Sequence, residues 1–136
     1  MLELENTQAM AIKAPKMKVF WKTPDYMIFP HDNGEGPIIA VRPSVRFEYA
    51  RRTNANDFLY SESAMHHFSY VRSDEEMLKK ISTFSHAEEF NTMEWYNNVW
   101  LKWTPEMRNI HPTVPYLFPE AKYMPEECSE NIRKTL

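Results

Sequence analysis

Between Ala64 and Glu76 the sequence changes period: the apolar and aromatic run Ala64-Met65-His66-His67-Phe68-Ser69-Tyr70-Val71 gives way to Arg72-Ser73-Asp74-Glu75-Glu76. The first stretch reads as a buried strand. Ser73 stands three residues before Glu76, the spacing of a capping box, in which the hydroxyl accepts from the N3 amide and the N3 carboxylate returns to the cap amide. Met77, Leu78, Ile81 and Phe84 then recur at helical spacing, so a helix is predicted from about Asp74 to Phe84. A strand feeding a helix start gathers backbone N–H groups and the positive end of the helix, a setting where ligands collect in α/β proteins. Two imidazoles sit on this strand, but neighbouring strand residues face opposite ways, so His66 and His67 cannot both address one ligand.

The rest of the chain divides into a strand-rich first half and a helical second half. Residues 1–16 read as a mobile arm or short helix. Strands are expected at Met17–Trp21 and Tyr26–Phe29, with Thr23-Pro24-Asp25 as the break between them. The turn signals Asn33-Gly34 and Gly36-Pro37 mark a hairpin loop over 31–37. Further strands are expected at Ile38–Val41 and Val45–Tyr49, the second from its strict alternation. Residues 51–63 read as a polar loop carrying Asp57 and Glu62. A second helix is predicted from about Thr92, capped by Asn91 or Thr92, with Trp95, Tyr96, Val99, Trp100 and Trp103 on its apolar face. Prolines punctuate residues 111–125, which predicts an extended Pro/aromatic tail over 111–136, compatible with a short final helix at 125–134. The fold class expected is α+β: a small, mostly antiparallel sheet from residues 17–71 covered by two or three helices, with 17–110 as the domain proper.

Composition excludes several classes. A chain of 136 residues suffices for one self-sufficient core. Its two glycines, Gly34 and Gly36, cannot build a dinucleotide fingerprint or a P-loop, both of which need several at fixed spacing. The net charge of −3, with acids and bases mixed along the chain, supplies no basic tract for nucleic acid. Cys128 is the single cysteine, which fits a reducing compartment, with cytoplasm the expectation. No apolar run reaches membrane-spanning length, and residues 1–20 lack the core of a signal peptide.

Taken in order, Phe20-Trp21-Lys22, Ile38-Ile39-Ala40-Val41-Arg42-Pro43, His67-Phe68-Ser69-Tyr70-Val71-Arg72, Phe84-Ser85-His86, Trp95-Tyr96 and Trp100-Leu101-Lys102-Trp103 resemble the C-terminal, acceptor-side half of family 2-type glycosyltransferases. Those enzymes use nucleotide sugars and have the A-type, Rossmann-like fold. The resemblance covers roughly residues 17–120 and is densest from Met65 to Trp103. In that family an N-terminal half supplies the nucleotide-binding sheet and an Asp-x-Asp motif; these residues contain no Asp-x-Asp, and the resemblance implies a fragment or truncated relative with a partial A-type fold. It further implies His67 as a ligand near a divalent metal, Mn²⁺ or Mg²⁺, and the diphosphate of a nucleotide sugar. Arg72 beside the Ser73 cap would hold a phosphate oxygen, and Asp57 or Glu62 would take the proton of a saccharide acceptor. Trp21 and Trp100 would stack a sugar. The plainer alternatives are a hydrogen-bonded histidine at 67, an ion pair of Arg72 with Glu75 or Glu76, and core packing of the tryptophans. The rival to a transferase is a non-catalytic homo-oligomer that pairs through its aromatic faces.

Overall fold

The computed structural model describes residues 8–14, 17–28, 36–48, 52–62, 64–83, 88 and 90–136. The chain is α+β, and its contacts separate it into two compact units, one from residues 1–17 and 33–65 and the other from 18–32 and 66–136. The described strands are β1 (Ala11–Lys13), β2 (Met17–Trp21), β3 (Thr23–Ile28), β4 (Ile38–Val41), β5 (Phe58–Tyr60), β6 (Met65–Tyr70) and β7 (Ala121–Tyr123). They form a sheet of three strands in the order β4-β1-β5 and one of four in the order β6-β2-β3-β7.

In the first unit β1 is the central strand, antiparallel to β4 (Ala11 opposite Val41) and parallel to β5 (Ala11 opposite Phe58). This corrects the reading of an arm at Ala11–Lys13 and of a loop at Phe58–Tyr60, both of which are strand; residues 1–7, 15, 16, 51 and 63 lie outside the described residues. A strand of three residues is too short to display a period. Burial on both flanks is what fixes it: Ala11, Val45 and Ala55 form a core against Met10, Ile38, Val41 and Phe58. Gly36 serves close approach here, since a Cβ would lie 2.0 Å from the Ala14 carbonyl oxygen. The strand expected at Val45–Tyr49 does not form. Val45 closes a turn onto Arg42, and Phe47 makes an isolated bridge to Thr53 with its ring exposed; Tyr49 lies outside the described residues, as do residues 31–35 of the expected hairpin loop.

In the second unit the break between β2 and β3 falls at Lys22, with φ 61°, and Thr23-Pro24-Asp25 is already strand. Pro24 is tolerated because pairing with β7 begins only at Tyr26, opposite Tyr123. A left-handed lysine costs about 1–2 kcal/mol. Its amide bonds the Tyr70 carbonyl at 2.9 Å, and its ammonium lies 3.0 Å from Asp74 Oδ1 and 4.0 Å from the Trp100 ring centre, contacts that offset the strain.

Helix α1 (Asp74–Ser82) begins at Ser73 with both capping-box bonds in place and buries Met77 and Ile81. The remaining predicted helical residue, Phe84, and the nearby His86 lie outside the described residues. Asn91 caps α2 (Thr92–Trp95), which widens into a π-helical turn at Tyr96–Trp100. Trp95, Tyr96 and Trp100 are all buried by it. The predicted tail is only partly extended: Ala121–Tyr123 pairs with β3, a 3-10 turn follows at Pro125–Glu127, and α3 spans Glu130–Arg133. Phe20, Met27 and Cys128 pack with Phe68, Val71, Met124 and Ile132, which brings this C-terminal segment onto the sheet.

Candidate functional site

The alternation of β6 separates its two histidines. His66 lies with Phe20 and Phe68, ring centres 5.8 and 6.3 Å away. His67 is half-buried, 6.5 Å from the Tyr70 ring. Its Nδ1 is buried and has no hydrogen-bond partner among the described residues. Burial, and then the charge of Lys80, lower its pKa, so the imidazole is neutral near pH 7.

Around it the strand end and the flank of α1 build a polar cluster. Lys80 donates to the Ser69 carbonyl at 2.9 Å and to Ser69 Oγ at 2.6 Å, and lies 4.5 Å from the Tyr70 ring centre. Burial and the neighbouring Arg72 bring its pKa to about 8. Tyr70 Oη is 2.9 Å from His111 Nε2. His111 Nδ1 accepts from the amides of Thr113 and Val114 at 3.3 and 3.2 Å. With its pKa lowered to about 4, first by burial and then by Lys80 and His67, His111 is neutral. Its proton therefore resides on Nε2, and Tyr70 accepts it. Burial raises the Tyr70 pKa far above its ordinary value, keeping the phenol protonated.

Arg72 is exposed and its Nε donates to the Ser69 carbonyl at 3.0 Å. With Glu76, Lys79, Lys80 and Thr83 it lines an open depression of about 340 Å³ on the flank of α1. Ser73 is committed to the cap, its Oγ accepting from the Glu76 amide at 3.2 Å. Trp21 and Trp100 are 0% exposed. They correct the expectation of a stacking platform: Trp21 is ringed by Tyr70, Trp95, Trp100 and Trp103, and the Trp100 indole donates to Asp74 Oδ1 at 2.8 Å. Neither presents a face for a sugar. Asp57 and Glu62 are exposed residues of the first unit, whereas His67, Arg72 and Ser73 belong to the second.

Among the described residues no group of three His, Cys, Asp or Glu side chains is arranged to hold a metal ion, and no helix is long and apolar enough to cross a membrane. Sequence reasoning missed Lys80, Tyr70 and His111 as parts of the cluster. Lys80 lies in a Lys-rich helix where no local pattern marks it, and His111 is brought to Tyr70 only by the tertiary fold. No family model, curated protein or solved structure matches this chain.

Proposed function

We propose that this chain is the acceptor-side part of a nucleotide-sugar glycosyltransferase, with His67 and Arg72 directed at the diphosphate of the donor. The observation that carries the reading is the His67 imidazole: neutral, half-buried, with Nδ1 unpartnered among the described residues, on a strand that runs into the Arg72 and Ser73 junction. Transfer would join the acceptor oxygen to the anomeric carbon as the bond from that carbon to the diphosphate breaks. The acceptor proton would pass to a general base, and the electron pair would leave with the diphosphate. Arg72 and Lys80 would stabilise that growing charge.

A divalent cation, when bound, would neutralise part of the diphosphate charge. Neutral imidazole fits one coordination position, and no group of three such ligands occurs among the described residues, so in this reading other protein ligands belong to the nucleotide-binding half. Calorimetric titration of the whole chain with a panel of nucleotide sugars and Mn²⁺ tests the proposal. Heat that disappears in His67→Ala, with the near-ultraviolet circular dichroism unchanged, is the expected result; absence of binding at millimolar ligand overturns it. A second reading, a non-catalytic homo-oligomer, is favoured by Tyr123, 64% exposed on β7 at the end of the four-stranded sheet, and by Tyr116 at 68%.

A further inference from the structure

Within the second unit the aromatic rings join into a path that leads from the core to the surface. Trp21, fully buried, has ring centres of Tyr70, Trp100 and Trp95 at 5.0, 5.3 and 6.3 Å. Trp103 continues the path, 6.5 Å from Trp21 and 4.9 Å from Tyr26. Tyr26 lies 5.4 Å from Tyr123, its cross-strand partner in the β3 and β7 pairing. Neighbouring rings along it are within the range of direct aromatic contact. The last of them is 64% exposed.

The indole N–H groups of Trp21 and Trp103 are buried and have no hydrogen-bond partner among the described residues. Buried donors of this kind are uncommon, and a redox role is one reason a fold keeps them. An indole that loses an electron becomes a cation with an acidic N–H; with no acceptor beside it the proton stays, and the ring remains a strong oxidant of its neighbours. Tyr123 differs, because an exposed phenol that loses an electron can release its proton to water and settle as a weaker oxidant. The inner rings are poorer resting places. Tyr70 Oη is taken up as the acceptor of the His111 Nε2 proton, so that imidazole is no base for the phenol. Trp100 donates to Asp74 Oδ1 at 2.8 Å, but that oxygen is also held by Lys22 at 3.0 Å, and the ammonium lies 4.0 Å from the Trp100 ring centre, where it opposes a positive ring.

We propose that Trp21, Trp103, Tyr26 and Tyr123 form a relay that carries one-electron oxidation out of the aromatic core, with Tyr123 as the residue on which the oxidation is delivered. The co-reactant is a diffusible one-electron oxidant of the small-radical class. It takes one electron from an indole and leaves as its anion. Electrons then move inward along the path from Tyr123, through Tyr26 and Trp103. The net change is one electron and one phenolic proton lost by Tyr123, the electron to the oxidant and the proton to water, with every other ring restored. Exposure alone does not select this residue. Tyr116 is more exposed, at 68%, and makes no ring contact to the path among the described residues.

Pulse radiolysis of the whole chain with azide radicals, which oxidise tryptophan and become azide ion, tests the relay. The indolyl absorption should decay as the phenoxyl absorption rises, at a rate independent of protein concentration. In Tyr26→Phe, which keeps a ring but removes the oxidisable phenol, the matched rise should be lost and the indolyl signal should persist, with the near-ultraviolet circular dichroism checking that packing is kept. A nitroso spin trap followed by peptide mass spectrometry of the parent should place the adduct on Tyr123 in preference to Tyr116, and Tyr116→Phe should alter neither readout. A phenoxyl rise that scales with protein concentration, or that is unchanged in Tyr26→Phe, overturns the relay. So does trapping on Tyr116 to the same extent as Tyr123, or oxidation that remains on Trp100. The trapping result in the parent decides the matter by itself if Tyr26→Phe does not fold.

Discussion

His111 is neutral because the fold gives it no alternative: burial strips water from the ring, two amides point at Nδ1, and Lys80 and His67, to a smaller extent, oppose a positive charge. Its pKa of about 4 in the fold stands against 6.5 in the unfolded chain. As pH falls, the unfolded chain therefore binds the proton first, and the linkage has a definite sign. The contribution is complete above pH 6.5 and is lost progressively down to about pH 4, amounting to up to roughly 3 kcal/mol. His67, also lowered by burial and Lys80, acts in the same direction. Thermal denaturation between pH 7 and 4 should show a melting temperature that falls steeply in the parent and less steeply in His111→Gln, which keeps an amide donor for Tyr70. Equal slopes would show that this imidazole is not held neutral. None of this was legible along the chain, because Tyr70 and His111 are far apart in sequence and no local pattern pairs them. His67 stood out because its neighbours on β6 declare a strand.

At the scale of elements, α1 was legible and α2 only in part, for reasons that lie in the range of the forces involved. Ser73 and Glu76 satisfy helix-end amides within one turn, so the start of α1 is encoded where it occurs. Removing that hydroxyl should cost about 1 kcal/mol, read as a shift of the urea midpoint in Ser73→Ala. The apolar face of α2 was also visible, yet the π-helical turn at Tyr96–Trp100 was not, since its cause is tertiary. Trp95 donates to the Ile110 carbonyl at 2.9 Å, Tyr96 to the Asp74 carbonyl at 3.0 Å and Trp100 to Asp74 Oδ1. Meeting these three acceptors at once favours a wider turn than a regular helix provides. Trp100→Ala, which opens a cavity in the core, should cost about 3–5 kcal/mol in the same denaturation measurement, well beyond the cap variant.

For the whole molecule, chain order is a poor guide to neighbourhood. Each unit takes two separate segments, 1–17 with 33–65 and 18–32 with 66–136, and β1 and β5, at three residues each, are too short to show a period of their own. The α+β class was nevertheless legible, because β2, β4, β6 and α1 each carry their own signal. Edge strand β7 bears the prediction for the oligomeric reading. With Tyr123 exposed beside Lys122, light scattering across a concentration series should give a rising mass that Tyr123→Lys abolishes; a constant monomer mass discards the oligomer. Near the C-terminus, Arg133 ties distant chain together. One guanidinium meets Asp25 and the carbonyls of Pro24, Pro125 and Cys128, so it acts as a buckle that fastens the final helix to the start of β3. Cutting the polypeptide just ahead of it would leave that strap hanging loose.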